Sequence, residues 1–317
     1  MPAKAFRNAR VRAYAKLNLA LDVLGKRPDG YHEIRSVFQT VALHDTLEIE
    51  FRPARLTAIE LDSSVEIAEN IVVKATCAVL DATRTSGRVR IQLKKRIPMG
   101  GGLGGGSSDA AAVLLTLPVL AGKRLDLAKL LEIGAELGSD VPFFLQGGTA
   151  LGIGRGEELY PLPEQPSRTV LIVAPQVHVS TPNAYRALNR PSLTSLGAPP
   201  KLVTLQSFVW TADPRLLVGA NDFEPVVFRQ HPELRRWRRK LEQSGALAAR
   251  MTGSGAALFG IFPGSAELTR ALPQFPKESI QVFPTRFLTR TQYRASWLRT
   301  LREHVVENEW PPLSRYA

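Results

Sequence analysis

A chain of 317 residues is long enough to build two domains, each with its own core. Its 44% hydrophobic and 22% charged residues are ordinary for a soluble globular protein, and no apolar run nears the roughly 18–20 residues that span a bilayer. The single cysteine, Cys77, excludes an internal disulfide framework and a cysteine zinc site, and a net charge of +12 points toward anionic partners: nucleic acid, a membrane face or a polyanionic small substrate.

Residues 1–15 carry Lys4, Arg7, Arg10 and Arg12 without an apolar segment, so they do not read as a secretory signal and a cytoplasmic protein is expected. Residues 11–40 read as a hairpin, with turn chemistry at Pro28, Asp29 and Gly30. Strands are expected at 46–51 and 56–61, a helix at 71–80 entered at Asn70, and a short strand at 89–93. A glycine-rich loop follows at 98–108. The next helix is placed at 109–117, with Pro118 predicting a stop or kink. A further helix spans 125–137 and is closed by Gly138. Asp140 then lies in a turn leading into an apolar run, and a strand pair is expected across 147–156.

In the second half, further strands and helices are expected at 169–174, 182–188, 202–209 and 221–228, with a loop at 191–201. HPELRRWRRKLEQSG reads as a helix whose Leu234, Trp237 and Leu241 form an apolar stripe, its arginines a solvated face. A second glycine-rich element spans 251–262. The last stretch, 301–317, reads as a weakly packed extension. Cys77, Trp210 and Trp237 are expected in the core, and His44, His178, His231 and His304 have no ligand-like spacing. Strands and helices mixed without strict alternation give an α+β class.

Chemistry concentrates in one segment. After Pro98 and Met99 the chain runs Gly100, Gly101, Gly102, Leu103, Gly104, Gly105 and Gly106 into Ser107 and Ser108. Glycines let main-chain N–H groups crowd around an anion, and a helix N-terminus favours negative charge. That composition fits a polyphosphate cradle. The Walker pattern is absent because no lysine follows these glycines, and a dinucleotide fingerprint lacks its buried strand and downstream acid. A flexible linker is the bland alternative, disfavoured by the alanine-rich helix that follows directly. Phosphoryl transfer also needs a cation and a group that positions the acceptor hydroxyl. Lys16 in AKLNL and Asp140 in GSDVPFF are candidates. On local sequence alone, Lys16 is equally an edge-strand gatekeeper, and Asp140 a helix cap or turn former.

AKLNL at 15–19, DGYHE at 29–33, PMGGGLGGGSSDAA at 98–111, GSDVPFF at 138–144, NDFEP at 221–225 and TGSGAALFG at 252–260 resemble, in order, the motifs of the GHMP kinase superfamily. The resemblance covers roughly residues 11–297. It implies a two-domain α+β kinase with the active site in the interdomain cleft. The expected divisions are 1–158 for the ATP-binding domain, 159–300 for the substrate-side domain and 301–317 for an extension. It further implies ATP and Mg²⁺ as cofactors, direct in-line transfer, and an acceptor alcohol carrying a diphosphocytidyl group. Asp140 matches the catalytic base and Lys16 its partner lysine, which would stabilise developing charge. Asn18 matches a position beside the acceptor. Tyr31 and His32 match a cytidine-binding pair, with Tyr185 as a second aromatic across the ring and Thr181 nearby. Asn70 and Lys95 match the adenine side. Thr252, Gly253, Ser254 and Gly255 would face the substrate phosphates. Ser139 replaces a common alanine and is expected to be neutral. A monomer or weak homodimer with small-molecule substrates, and neither nucleic acid nor membrane, is the partner expectation. Two rivals stay open on sequence: a kinase of this superfamily for another small alcohol, and an RNA-associated protein.

Overall fold

The computed structural model describes residues 6–66, 70–193, 217–276, 278, 280–306 and 309–317. Two antiparallel-rich sheets organise it. The first holds six strands: β1 (Arg7–Lys26), β2 (His32–Pro53), β3 (Ala58–Ser63), β4 (Gly87–Lys94), β5 (Thr149–Gly154) and β6 (Glu158–Pro161), in the order β3-β4-β2-β5-β6, with β1 paired along β2. The expected hairpin is therefore much longer than residues 11–40. Its second arm continues through the strand expected at 46–51.

The length of β1 hides a change of face. Val11 and Ala13 belong to the core beneath the helices. The register against β2 then shifts between Tyr14 and Lys16. Beyond that irregularity Ala15, Leu17 and Leu19 face the second sheet, so the intervening positions Lys16 and Asn18 turn the other way. A bulge re-aims every side chain after it. Here it delivers a lysine and an asparagine, both under 5% exposed, to one spot.

Four helices cover this sheet: α1 (Ile71–Ala82), α2 (Gly105–Ala121), α3 (Leu127–Leu137) and α4 (Val141–Gln146). Asn70 caps α1 as expected, accepting the Val72 N–H at 3.0 Å. Helix α2 starts earlier than its alanines suggest, after Gly104 at φ +70°, and runs through Pro118 to a left-handed Gly122. Pro118 does not stop it: Ala110 to Leu120 are all buried, and packing on every side outweighs the local propensity penalty. Asp140 sits in the expected turn, and the apolar run that follows it forms the helix α4. Pro142 sits in the first turn of α4, where its missing N–H costs nothing.

The second sheet has β7 (Thr169–Pro175), β8 (Ala248–Met251), β9 (Leu258–Phe262) and β10 (Ile280–Arg286), in the order β10-β7-β9-β8. Helices α5 (Thr181–Leu188), α6 (Glu224–Gln230), α7 (Pro232–Gln243) and α8 (Ser265–Ala271) pack with it, and α9 (Arg290–Leu301) returns to the first sheet beside β1. Between the sheets, Leu17, Leu19 and Val37 of the hairpin meet Ile172, Phe259 and Phe287 in one continuous apolar core.

Two expectations fail. Cys77 is exposed on α1 rather than buried, because Thr76 and Ala75 take the inward positions of that turn. The final stretch is not weakly packed: Pro311 and Ser314 are buried, Trp310 partly so. Trp237 packs partly buried against the second core. Trp210 and the element expected at 202–209 lie outside the described residues.

Candidate active site

The bulged stretch of β1 meets three other segments. The backbone N–H of Lys16 donates to Leu103 O at 3.0 Å, tying the strand to the glycine loop. The Lys16 ammonium donates to Asn18 Oδ1 at 2.5 Å and lies 3.4 Å from Asp140 Oδ2. Beneath it, at 5.1 Å, is the ring of Phe38. Asn18 in turn donates to Ser36 Oγ at 2.6 Å, which donates to Ala20 O. Lysine and carboxylate differ in environment. The side chain of Lys16 is 5% exposed, whereas that of Asp140 is 32% exposed and open to a cavity.

That cavity, of about 650 Å³, is lined by Lys16, Asn18, Gly102, Ser107 and Asp140, by Tyr31, His32, Thr181 and Tyr185, and by Gly253 and Ser254. The structure thus gathers eleven sequence-predicted residues from both halves of the chain around one space. Lys26, Phe38, Ser139, Arg155, Arg186 and Phe223 also line it. The three basic members were lost, in the sequence, among 41 lysines and arginines.

The glycine loop is built for close approach. Gly100, Gly102 and Gly104 all have positive φ, which glycine alone adopts freely. A Cβ on Gly102 would lie 2.2 Å from Thr252 O, and one on Gly104 2.7 Å from the Phe144 ring. The loop opens into the N-terminus of the buried helix α2, whose first N–H groups have no intrahelical partners. This arrangement fits a polyphosphate. Met99 projects into solvent, 61% exposed.

Lys95 and Asn70 flank the loop without lining the cavity. The Lys95 ammonium is held by Asp45 at 2.5 Å and Asp109 at 2.7 Å, with its side chain 6% exposed. Asp45 also accepts the N–H groups of Arg96 and Ile97. Burial opposes the charge on Lys95, but Asp109 and Asp45 outweigh it and raise its pKa. Burial raises that of Asp109. Asn70 is spent on capping α1, whose Ile71 would lie 3.8 Å from a Cβ on Gly106 at the α2 start.

Across the cleft the second glycine turn is pinned by NDFEP. Asn221 Nδ2 donates to Met251 O at 2.7 Å and Gly253 O at 2.9 Å, and Glu224 accepts the Met251 N–H at 2.8 Å. Arg238, from the basic run, anchors Glu224 at 2.8 Å. Thr252 is fully buried and acts as a latch rather than a lining residue, and Gly255 is likewise off the lining. Ser254 Oγ lies 2.8 Å from Thr181 Oγ1.

At the aromatic end, His32 stacks on Tyr185 with centroids 4.4 Å apart, a spacing that leaves no gap for a third ring between them. Tyr31 stands 53% exposed, with the Arg155 guanidinium 4.9 Å from its ring. The turn that presents it is held by Arg27, bonded to Asp29 and Glu33. Burial, then Lys26, lowers the His32 pKa, which favours the neutral imidazole. Burial and the charge of Asp140 push the Tyr185 phenol up to about 12, so it remains a donor.

Family models for the GHMP kinases N-terminal domain and the GHMP kinases C-terminal region match residues 70–148 and 209–279. A 4-diphosphocytidyl-2-C-methyl-D-erythritol kinase from Solibacter usitatus (strain Ellin6076) is 53% identical over 313 residues, 98% of each chain. The chain belongs to this branch of the GHMP kinases. A second kinase of the same name, from Pelotomaculum thermopropionicum, is 41% identical across 86% of this chain and 96% of its own. The fold of a solved 4-(cytidine 5'-diphospho)-2C-methyl-D-erythritol kinase matches with a TM-score of 0.73 and 35% identity, over 88% of this chain and 98% of that one. A homoserine kinase from Cytophaga hutchinsonii shares the fold at 18% identity and a TM-score of 0.67. The two-sheet architecture is thus the GHMP kinase fold, with its glycine loop feeding α2.

Proposed function

We propose that this GHMP kinase transfers the γ-phosphoryl group of ATP to the 2-hydroxyl of 4-diphosphocytidyl-2-C-methyl-D-erythritol, in the non-mevalonate route to isoprenoid precursors. One observation carries the reading: the Lys16–Asp140 pair, 3.4 Å apart, lines one cavity together with Gly102 of the glycine loop, Ser107 of α2 and the Tyr31, His32 and Tyr185 rings. The loop amides and the α2 N-terminus hold the triphosphate. Asn70 and Lys95 shape the wall on the adenine side, Lys95 by fixing the loop rather than by reaching the nucleotide.

Asp140 takes up the acceptor hydroxyl's proton, or orients that hydroxyl, as the new O–P bond forms and the bond to the β-phosphate breaks, in line. Lys16, fixed by Asn18, stabilises the charge that gathers on the transferring group. Mg²⁺ would neutralise phosphate charge. No group of three acidic, histidine or cysteine side chains placed to hold a metal ion occurs among the described residues, so it would be carried by the phosphates, with Asn18, Ser107, Ser139 and Asp140 among the oxygen-bearing side chains lining the cavity. Tyr31, His32 and Tyr185 select the cytidine. Lys26, Arg155 and Arg186 give its diphosphate a positive rim. Thr181, Ser254 and Gly253 face the substrate from the second domain.

ADP release is followed with ATP, Mg²⁺ and the cytidylyl substrate, each omitted in turn, and with mevalonate or homoserine as replacement acceptors. Turnover is expected only with the complete cytidylyl mixture. Asp140→Asn is expected to lower kcat by about 10²–10⁴-fold. Turnover of an acceptor lacking the cytidylyl group, or near-parental kcat in Asp140→Asn, would remove the reading.

A further inference from the structure

The two helices whose N-termini face the cavity, α2 and α4, have their C-terminal ends held from one direction. The last carbonyls of any helix lack partners within it, and in a six-residue helix such as α4 they are a large share of its backbone. In α4 the Gly147 N–H takes the Phe143 carbonyl. Phe144 O accepts the hydroxyl of Tyr293, from α9. Leu145 O accepts the indole N–H of Trp310 at 3.0 Å, and Gln146 Oε1 accepts Arg294 at 2.9 Å.

At α2 the pattern repeats. Val119 O accepts the Ser314 hydroxyl at 2.8 Å, and Leu120 O accepts Arg7, whose guanidinium lies 3.9 Å from the Tyr316 ring. Residues 309–317 thus bridge the far ends of the helices that carry the phosphate loop and Asp140. Tyr293 is packed so tightly there that a Cβ on Gly147 would approach its ring to 2.3 Å.

We propose that this C-terminal segment is a positioning clamp: Trp310 and Ser314, by holding the rear of α4 and α2, set the distance between Asp140 and the glycine loop. No described residue of the segment lines the cavity, so it acts through the helices. A rigid six-residue helix about 9 Å long transmits a shift at Leu145 directly to Asp140. The inference rests on Asp140 serving the reaction.

Trp310→Phe keeps an aromatic ring and removes the N–H donor, and Ser314→Ala removes the second tie. Each is placed in the full-length chain, alone and with Asp140→Asn. In the parent background each is expected to lower kcat about 3–10-fold, with KM for ATP and for the cytidylyl substrate within twofold. In the Asp140→Asn background neither is expected to lower the residual rate further. An unchanged kcat, or a loss of equal size in both backgrounds, overturns the clamp. Asp140→Asn by itself reports whether the underlying reading holds. Should Trp310→Phe fail to fold, Ser314→Ala decides by the same criteria.

Discussion

The hydroxyl of Thr252 accepts the backbone N–H of Asn18 at 3.0 Å, across 234 positions of sequence. The same hydroxyl lies 3.2 Å from Gly102 O, so one buried atom joins the bulged strand, the first glycine loop and the second glycine turn. Thr252→Val preserves shape and leaves the Asn18 N–H without its partner. A loss of about 1–3 kcal/mol is expected for such an orphaned buried donor, with kcat falling alongside. Urea unfolding combined with steady-state kinetics tests this, and parental values for both would contradict the latch.

Gly102→Ala bears on the glycine loop and its proposed role. With φ at +76° and only 2.2 Å between a new Cβ and Thr252 O, the loop must give way. Backbone strain alone costs about 1–3 kcal/mol. Nucleotide affinity is expected to fall more than affinity for the cytidylyl substrate, measured by titration of each ligand. Equal losses would argue against this loop as the nucleotide's cradle.

Lys95 separates a staple from a ligand contact. Lys95→Met leaves Asp45 and Asp109 buried with no countercharge, and breaking such a pair costs about 3–5 kcal/mol. Denaturant unfolding is expected to show that loss, with part of it recovered in Lys95→Met/Asp109→Asn. A Lys95→Met protein of parental stability whose KM for ATP alone is raised would make the lysine a direct contact instead.

Tyr185→Leu removes a ring from the acceptor end. His32 then loses the ring it stacks on, so KM for the cytidylyl substrate is expected to rise while KM for ATP holds. Tyr31→Leu tests the exposed face in the same way. If both substitutions shift the two KM values equally, the rings do not read the cytosine.

His44 gives stability a pH dependence. Burial lowers its pKa below the ordinary value, against a countervailing bond to Ala42 O. On acidification the unfolded chain therefore takes up its proton first. Its contribution is complete above about pH 6.5 and declines as pH falls below that. The difference in unfolding free energy between His44→Gln and the parent should move in the variant's favour from pH 7 to pH 5.5. A difference constant with pH would show that the imidazole is unperturbed.

Much of this was legible in local chemistry. Six glycines ahead of an alanine-rich helix demand an anion and a helix N-terminus, and the order of motifs from AKLNL to TGSGAALFG is specific enough to name the superfamily. Asn70 as a cap and the strand at 89–93 follow from short-range rules, which act within a few residues. Other features were not local. Gly105 and Gly106 are poor helix formers, yet they open α2 ahead of a stretch buried from Ser108 to Leu120, and that burial keeps Pro118, a breaker, helical. The extension after Leu301, charged and proline-bearing, gave no sign that Trp310 and Ser314 would find carbonyls on α4 and α2.

What sequence alone determined was therefore the chemistry: which residue types are present, and which glycine turn they build. Only the tertiary structure decided the geometry. A register shift between Tyr14 and Lys16 turns Lys16 toward Asp140, and Lys95 is drawn between two carboxylates instead of opening to the cavity. Side-chain direction in a strand depends on pairing with a distant partner, and the fate of a buried charge depends on which countercharges the fold brings beside it. Neither is encoded within the few residues that a motif spans.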